Sequence, residues 1–589
     1  MLRPSRSIPW PVPRRDERAL RFASRASRAQ FLTLMPNFLD TIFAQLQRSS
    51  GRVVLREIHG EQFVSVTGKE LLEQVRQVRA YLRGAGLQPG DRCALLAANS
   101  IRWAAFDLAL MAENLIVVPL YYRQSPAELA AMMKDSQPKL LFAGDPALAE
   151  AATQAWTEAA SAAPRRILFD DVLRQPTSLP PVPDVPNPRL DNDLVTIIYT
   201  SGTSGEPKGV CLTTANITHM LSCTTQRLDQ LMGQTHEPDR VFHYAPFNFA
   251  ASWILLLSCL SRESVLTLST DLTKLPDEIR LSAPHYFLNV PTLLERVRRG
   301  VEDALSKRPA PIRRLFAGAR GAWLRRNSGR ARTLDAFWLA LGRKLIFSKI
   351  KARFGPHLRA LICGSAPLAP ETQQFFLMLG IPVLQAYGLT ETTAICTLDD
   401  PRLPVEPGYV GQAIPGIEMR VADHEEIIVR GPHIFAGYWN RPEETARVLR
   451  DGWFHTGDQG EVNVRGNWRI IGRIKNLIIL NSGHNVPPEP IEDKIAQHLP
   501  GAQHVIVVGN GRGYLCALIA GAVENTAVQS ALDAVNPGLP HYRQVRNFAV
   551  ISETFTPENG FLTANGKLRR DAINARFASE INSMYDRKP

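Results

Sequence analysis

Apolar positions along the chain change period repeatedly from about residue 36 onward. Leu71, Leu72, Val75, Val78 and Leu82 fall at helical spacing between Glu70 and Ala85, and Gly84-Ala85-Gly86 supplies a stop. Arg92–Ala98 then reads as a strand, Ser100–Glu113 as a helix and Ile116–Leu120 as a second strand. This order predicts βαβ units around a mostly parallel sheet. Six prolines from Pro176 to Pro188 mark a surface connector ahead of a further strand, Leu194–Tyr199. Past Gly408 the pattern shortens to strands with glycine turns, Glu426–Gly431 and Gly460–Ile471, which predicts a β-rich subdomain. From Lys475 onward, strands such as His504–Val508 and Leu515–Ala520 mix with helical stretches, predicting a small α+β domain.

Composition narrows this picture. The 589 residues are 45% hydrophobic and 21% charged, too apolar for a disordered chain and too charged for a polytopic membrane protein. The most apolar stretches are Ile254–Leu257, interrupted by Ser258, and Trp103–Tyr122, which contains Asp107, Glu113 and Asn114. Both fall short of the ~20 residues that span a bilayer, so no membrane crossing is expected. Seven dispersed cysteines with no C-x-x-C pair read as reduced thiols of a cytosol-like compartment. Residues 1–35 are arginine-rich and broken by Pro9, Pro11 and Pro13, without an apolar run behind them. A basic disordered extension is expected there rather than a secretory signal.

The net charge of +12 has one main source. Residues 296–353 hold 17 Lys and Arg against Glu302, Asp303 and Asp335. Leu315, Phe316, Trp323, Leu324, Phe337, Trp338 and Leu339 interleave with these arginines. Nucleic acid, an anionic membrane or a polyphosphate could each answer such a block. No nucleic-acid motif accompanies it, so an amphipathic basic surface on anionic membrane is the favoured reading. The expected location is cytoplasmic, with peripheral membrane contact.

The strongest chemical signal is Tyr199-Thr200-Ser201-Gly202-Thr203-Ser204-Gly205-Glu206-Pro207-Lys208-Gly209. It leaves the C-terminal end of a predicted strand, where α/β sheets bind ligands. Its glycines let the backbone turn N–H groups inward as an anion nest; hydroxyls and Lys208 add donors and positive charge. Gly209 follows the lysine, so this is not a Walker A loop.

Here the sequence resembles the adenylate-forming superfamily of acyl-CoA synthetases, luciferases and peptide-synthetase adenylation domains, over about residues 36–575. The resemblance implies an α/β fold. A large domain of α/β sheets with a β-rich subdomain would occupy 36–474, and a small mobile α+β cap 475–589, with the hinge at Lys475. It assigns Thr200, Ser201, Gly202, Thr203, Ser204, Gly205 and Lys208 to nucleotide phosphates. Gly364, Ser365 and Ala366, within Cys363–Leu368, resemble the adenine-pocket segment. In Gln385–Thr392, Tyr387 and Gly388 belong to the nucleotide site, with Tyr387 on adenine. Thr390 would contact the α-phosphate and Glu391 would hold Mg²⁺, a hard cation that takes oxygen ligands. Asp458 would grip the ribose hydroxyls, and Arg473 the ribose or phosphates. Lys567, in Thr563–Arg569, matches the catalytic lysine that stabilises charge during attack on the α-phosphate.

The reaction so implied has two halves. A carboxylate attacks the α-phosphorus of ATP to give acyl-AMP and pyrophosphate; the thiol of coenzyme A then takes the acyl group and AMP leaves. Phe347–Ile350, Leu358–Ile362 and Ser482–Glu492 resemble segments of long-chain fatty acyl-CoA synthetases, implying a fatty acid substrate. Phe249 stands where a His is common, Asn476 where an Asp is frequent and His484 where a Lys is frequent. The first bears on acyl-pocket shape, the others on domain closure and thiol access. Two alternatives remain at this point: a fatty acyl-AMP ligase that loads a carrier protein, and a non-catalytic nucleotide-binding membrane scaffold.

Overall fold

The computed structural model describes residues 36–156, 163–174, 182–201, 207–233, 237–556, 559–563 and 566–586. The expected 1–35 extension lies outside them. The fold is α/β. A seven-stranded sheet runs Gly437–Tyr438, Pro207–Thr213, Leu194–Ser201, Ile116–Leu120, Arg92–Leu96, Leu140–Ala143, Arg165–Leu168. From Leu194–Ser201 to Arg165–Leu168 its strands are parallel, whereas Pro207–Thr213 folds back antiparallel. A nine-stranded sheet has a parallel centre that includes Val53–His59, Asp239–His243, Tyr286–Asn289, Ala360–Cys363 and Val383–Tyr387.

Local chemistry explains the helices that pack these sheets. Helix Gly68–Gly84 opens two residues before the predicted Glu70, because Thr67 and Glu70 form a reciprocal capping box. Helix Ile101–Ala112 starts after Ser100, whose hydroxyl accepts the Trp103 N–H at 3.0 Å. This helix is buried almost all round and touches strands of both sheets. Helix Ala250–Leu260 is equally enclosed. The two most apolar stretches of the chain are therefore core helices. They are joined by the Trp253 indole N–H, which donates to Asp107 Oδ2 at 2.8 Å. No described helix is long and apolar enough to cross a membrane.

The β-rich region is an antiparallel sheet containing Glu418–Val421, Glu426–Arg430, Trp453–Val462 and Trp468–Arg473. Within Gly460–Ile471 the chain makes a hairpin between the last two of these strands. The Gly466 N–H donates to the Asn463 carbonyl at 2.9 Å, and Gly466 takes a left-handed φ of 79°. After Lys475, strands His504–Val508, Leu515–Ala520 and Val545–Ile551 form a three-stranded sheet with a hydrophobic cluster on each face. All seven cysteines are free and buried.

The basic block folds as helices Pro291–Ser306, Ala310–Asn327 and Asp335–Gly342, continued to Lys351 through a π-helical turn. Its interleaved apolar residues divide between two faces. Leu315 and Leu339 are buried, whereas Leu324, Leu334 and Phe337 are 43%, 67% and 60% exposed. The sequence pattern placed the first two on the same surface as the arginines; packing takes them into the core.

Candidate functional site

Strand Val383–Tyr387 ends the parallel part of the nine-stranded sheet, and the chain must turn immediately beyond it. Gly388 makes that turn: a Cβ there would lie 2.3 Å from the Ala394 carbonyl oxygen, so no larger residue fits. Thr390–Thr392 is a single 3₁₀ turn rather than the opening of a longer helix. Thr393 and Ala394 follow with φ of 51° and 101°. The turn is pinned by the Thr393 hydroxyl on the His433 carbonyl at 2.7 Å and by the Phe435 N–H on the Glu391 carbonyl at 2.9 Å. Beside it, Gly364 packs its Cα against Ala386, where a Cβ would come 3.1 Å from the carbonyl oxygen. Ser365 takes a left-handed φ of 72°, unusual for a non-glycine and common at functional turns. Gly364, which leads into Ser365 and Ala366, thus lies against the end of the strand that carries Tyr387.

Asp458 and Arg473 face each other across the β-rich hairpin and are paired in its ladder. Arg473 Nε lies 2.7 Å from Asp458 Oδ1, and the Tyr387 hydroxyl donates to Oδ2 at 2.7 Å. Each carboxylate oxygen keeps further lone-pair capacity, so Asp458 can still accept from a diol. Burial disfavours the Arg473 cation, but Asp458, Tyr387 and Glu391 outweigh it and hold the guanidinium above its ordinary value. Burial, with Asp458 adding, drives the Tyr387 phenol well above the usual range.

Glu391 Oε1 accepts the Tyr438 hydroxyl at 2.8 Å. No cluster of three or more metal-ligating side chains exists among the described residues. A lone carboxylate such as Glu391 is compatible with Mg²⁺, which takes most of its ligands from phosphate and water.

The phosphate segment joins two antiparallel strands, with Thr200 opposite Lys208 and Ser201 opposite Pro207. Gly202, Thr203, Ser204 and Gly205, and the side chain of Ser201, lie outside the described residues. Lys208 is ion-paired with Glu444, and its ammonium is 5.5 Å from the centre of the Tyr438 ring. Strand Gly437–Tyr438 pairs with Val210 and Cys211, which brings Tyr438 between Lys208 and Glu391.

Lys567 sits on a tight hairpin of the C-terminal part. Its N–H donates to the Thr563 hydroxyl at 3.1 Å, and its carbonyl accepts the Thr563 N–H at 2.8 Å. The side chain is exposed to solvent, yet surrounding protein desolvates its ammonium and lowers its pKa. Arg473 and Lys475 lower it further, while Asp458 and Glu391 act in the opposite sense. Glu391, Asp458, Arg473 and Lys475 thus stand near enough to Lys567 for their charges to act on its ammonium. Lysines and an arginine outnumber the carboxylates that face them, which suits a polyphosphate.

Sequence reasoning missed Tyr438 and Glu444, the partners of Glu391 and Lys208. The only local signal was Gly437, whose φ of 139° and contact with Thr445 mark a constrained position before the tyrosine. The residues at family-departing positions are also engaged. Asn476 donates to Glu489 at 2.6 Å, His484 stacks on Tyr542 with centroids 4.2 Å apart, and Phe249 lies 5.9 Å from the Tyr121 ring.

Comparison with known proteins agrees with this geometry. Residues 42–439 match the family model described as AMP-binding enzyme, and residues 475–589 match the AMP-binding enzyme C-terminal domain. The chain is 27% identical to the long-chain-fatty-acid–CoA ligase FadD15 of Mycobacterium tuberculosis, over 94% of this chain and 97% of that protein. It is 29% identical to long chain acyl-CoA synthetase 1 of Arabidopsis thaliana, over 88% of this chain and 87% of that protein. Among solved structures, the adenylation domain of a Mycobacterium chelonae carboxylate reductase superposes with a TM-score of 0.75 at 22% identity, covering 95% of this chain and 93% of that one. ATP-bound MatB from Rhodopseudomonas palustris gives 0.69 at 23%, covering 92% and 99%. At these identities the structural likeness concerns the fold.

Proposed function

Because this chain belongs to the AMP-binding enzyme family, we propose that it activates a long-chain fatty acid as acyl-AMP and transfers the acyl group to coenzyme A. The observation that carries this reading is that Asp458 holds Arg473 and Tyr387 directly, with Lys567, from a distant part of the chain, near enough to feel the charges of Asp458, Arg473 and Glu391. The names of the curated relatives support the long-chain substrate.

In the first half-reaction a carboxylate oxygen bonds to the α-phosphorus of ATP and the bond to pyrophosphate breaks. Lys567 places its ammonium on the charge that grows as the carboxylate attacks. Asp458 and Arg473 hold the ribose side of the nucleotide, Tyr387, Gly388 and Gly364–Ala366 the adenine side, and Thr390 the α-phosphate. Thr200 to Gly205 and Lys208 orient the outgoing phosphates, with Lys208 exchanging Glu444 for phosphate oxygen. Glu391, held by Tyr438, is the residue that would ligate Mg²⁺, whose charge neutralises phosphate oxygens when bound. In the second half-reaction the coenzyme A thiolate attacks the acyl carbonyl and AMP leaves. Both steps depend on positioning and fixed charge, so no protein nucleophile is required. The domain division at Lys475 belongs to this reading: 475–589 turns about Lys475 between the steps and withdraws Lys567. The exposed face of the helices between Ala310 and Lys351 docks on anionic lipid, from which fatty acid is drawn.

The test is a panel of acids of increasing chain length with ATP, Mg²⁺ and coenzyme A, following pyrophosphate and thioester separately. Both products with long-chain acids are expected. Pyrophosphate without thioester would point to a carrier-protein acceptor, and neither product with any acid would contradict the proposal.

A further inference from the structure

Two neighbouring arginines beyond Lys567 grip different partners. Arg570 faces its own domain, where it forms two hydrogen bonds with Glu492 at 2.8 and 2.6 Å. Arg569 turns the other way, toward the large domain, and donates through Nη2 to Glu128 Oε1 at 2.5 Å. Glu128 stands in the first turn of helix Pro126–Ser136, a favourable place for a carboxylate. Its second oxygen accepts from Gln124 Nε2 at 2.5 Å and from the Ser125 hydroxyl at 3.0 Å, so the acceptor is fixed before Arg569 arrives. Burial alone would raise the Glu128 carboxyl; Arg569, Gln124 and Ser125 reverse this and hold it below the ordinary value.

Within the small domain, Arg569 is rigidly coupled to Lys567. The Arg569 N–H donates to the Phe561 carbonyl at 2.8 Å, and Leu562 pairs with Leu568. Phe561 and Leu562 are anchored in the hydrophobic cluster of the small domain. Arg569 reaches Glu128 of the large domain, and Lys567, two residues before it, lies near enough to Asp458 and Glu391 of that domain to feel their charges. Fixing Arg569 on Glu128 therefore fixes where Lys567 stands.

We propose that Glu128 and Arg569 form a latch that selects the orientation of residues 475–589 in which Lys567 enters the phosphate site. Both are positioning residues. The inference rests on the two-step reading above, and it assigns the pair to the first step alone: the latch must open before the thiol reaches the acyl-AMP.

The experiment uses the full chain with Glu128→Gln, Arg569→Gln and the double variant. Two rates are measured: pyrophosphate release from acid and MgATP, and thioester formation from supplied acyl-adenylate and coenzyme A. Each single variant is expected to slow the first rate about tenfold, within the usual range of coupling between sites, and leave the second within about twofold. The double variant should lose no more than either single one, since the pair acts as a unit. An unchanged thermal midpoint confirms folding. Equal loss in both steps, no loss in either, or losses that multiply in the double variant would overturn the latch. Parent protein that releases no pyrophosphate with any acid would instead refute the underlying two-step reading.

Discussion

Asp107 is fully enclosed between two apolar helices, with one oxygen on the Trp253 indole and Oδ1 without a partner among the described residues. Burial pushes its carboxyl up to about 7, with the Trp253 hydrogen bond opposing. The folded state therefore binds this proton more tightly than the unfolded state, whose value is the ordinary 3.8. Its contribution is intact below 3.8 and is lost as pH rises through the folded value near 7. Asp107→Asn keeps an acceptor for the indole and removes the ionisation. The variant should gain stability over its parent as pH rises through this window, by up to about 1.4 kcal/mol per pH unit. A difference in unfolding midpoint that stays flat between about pH 5 and pH 8 would contradict this.

At the scale of elements, the basic helices carry a separate expectation. Arg325 is held by Asp335, whereas Arg313, Arg314 and Arg326 are exposed beside Leu324. Replacing these three with Gln should weaken binding to anionic phospholipid vesicles by about 1 kcal/mol per residue, with a matching loss of salt sensitivity. Unchanged vesicle binding would show that these helices do not dock on lipid.

The same scale separates what the chain reveals from what it conceals. Strands Arg92–Leu96 and Ile116–Leu120 and the helix between them are visible because short apolar runs and caps are local properties. Lys567 and Asp458 are visible because short motifs surround them. Tyr438 on Glu391, and Arg569 on Glu128 across 441 residues, are invisible for a physical reason. Periodicity reports which face of an element is buried; it does not report which distant side chain that face meets. Leu315 and Leu339 illustrate the converse, since a mixed basic and apolar pattern does not say which apolar residues turn inward.

Across the whole molecule, Lys567 of the small domain comes near enough to Asp458 and Arg473 of the β-rich sheet for their charges to interact. In the proposed reaction, the latch, the Lys567 hairpin and the Glu391 turn are the parts that would serve attack on the α-phosphorus. The central claim is that the acid's own oxygen becomes bonded to that phosphorus. It is tested most directly by incubating heavy-oxygen-labelled fatty acid with ATP, Mg²⁺ and coenzyme A and examining the AMP by mass spectrometry. The mechanism predicts AMP carrying one labelled oxygen in its phosphate, formed in step with thioester. Unlabelled AMP, or ADP with the label in inorganic phosphate, would contradict it.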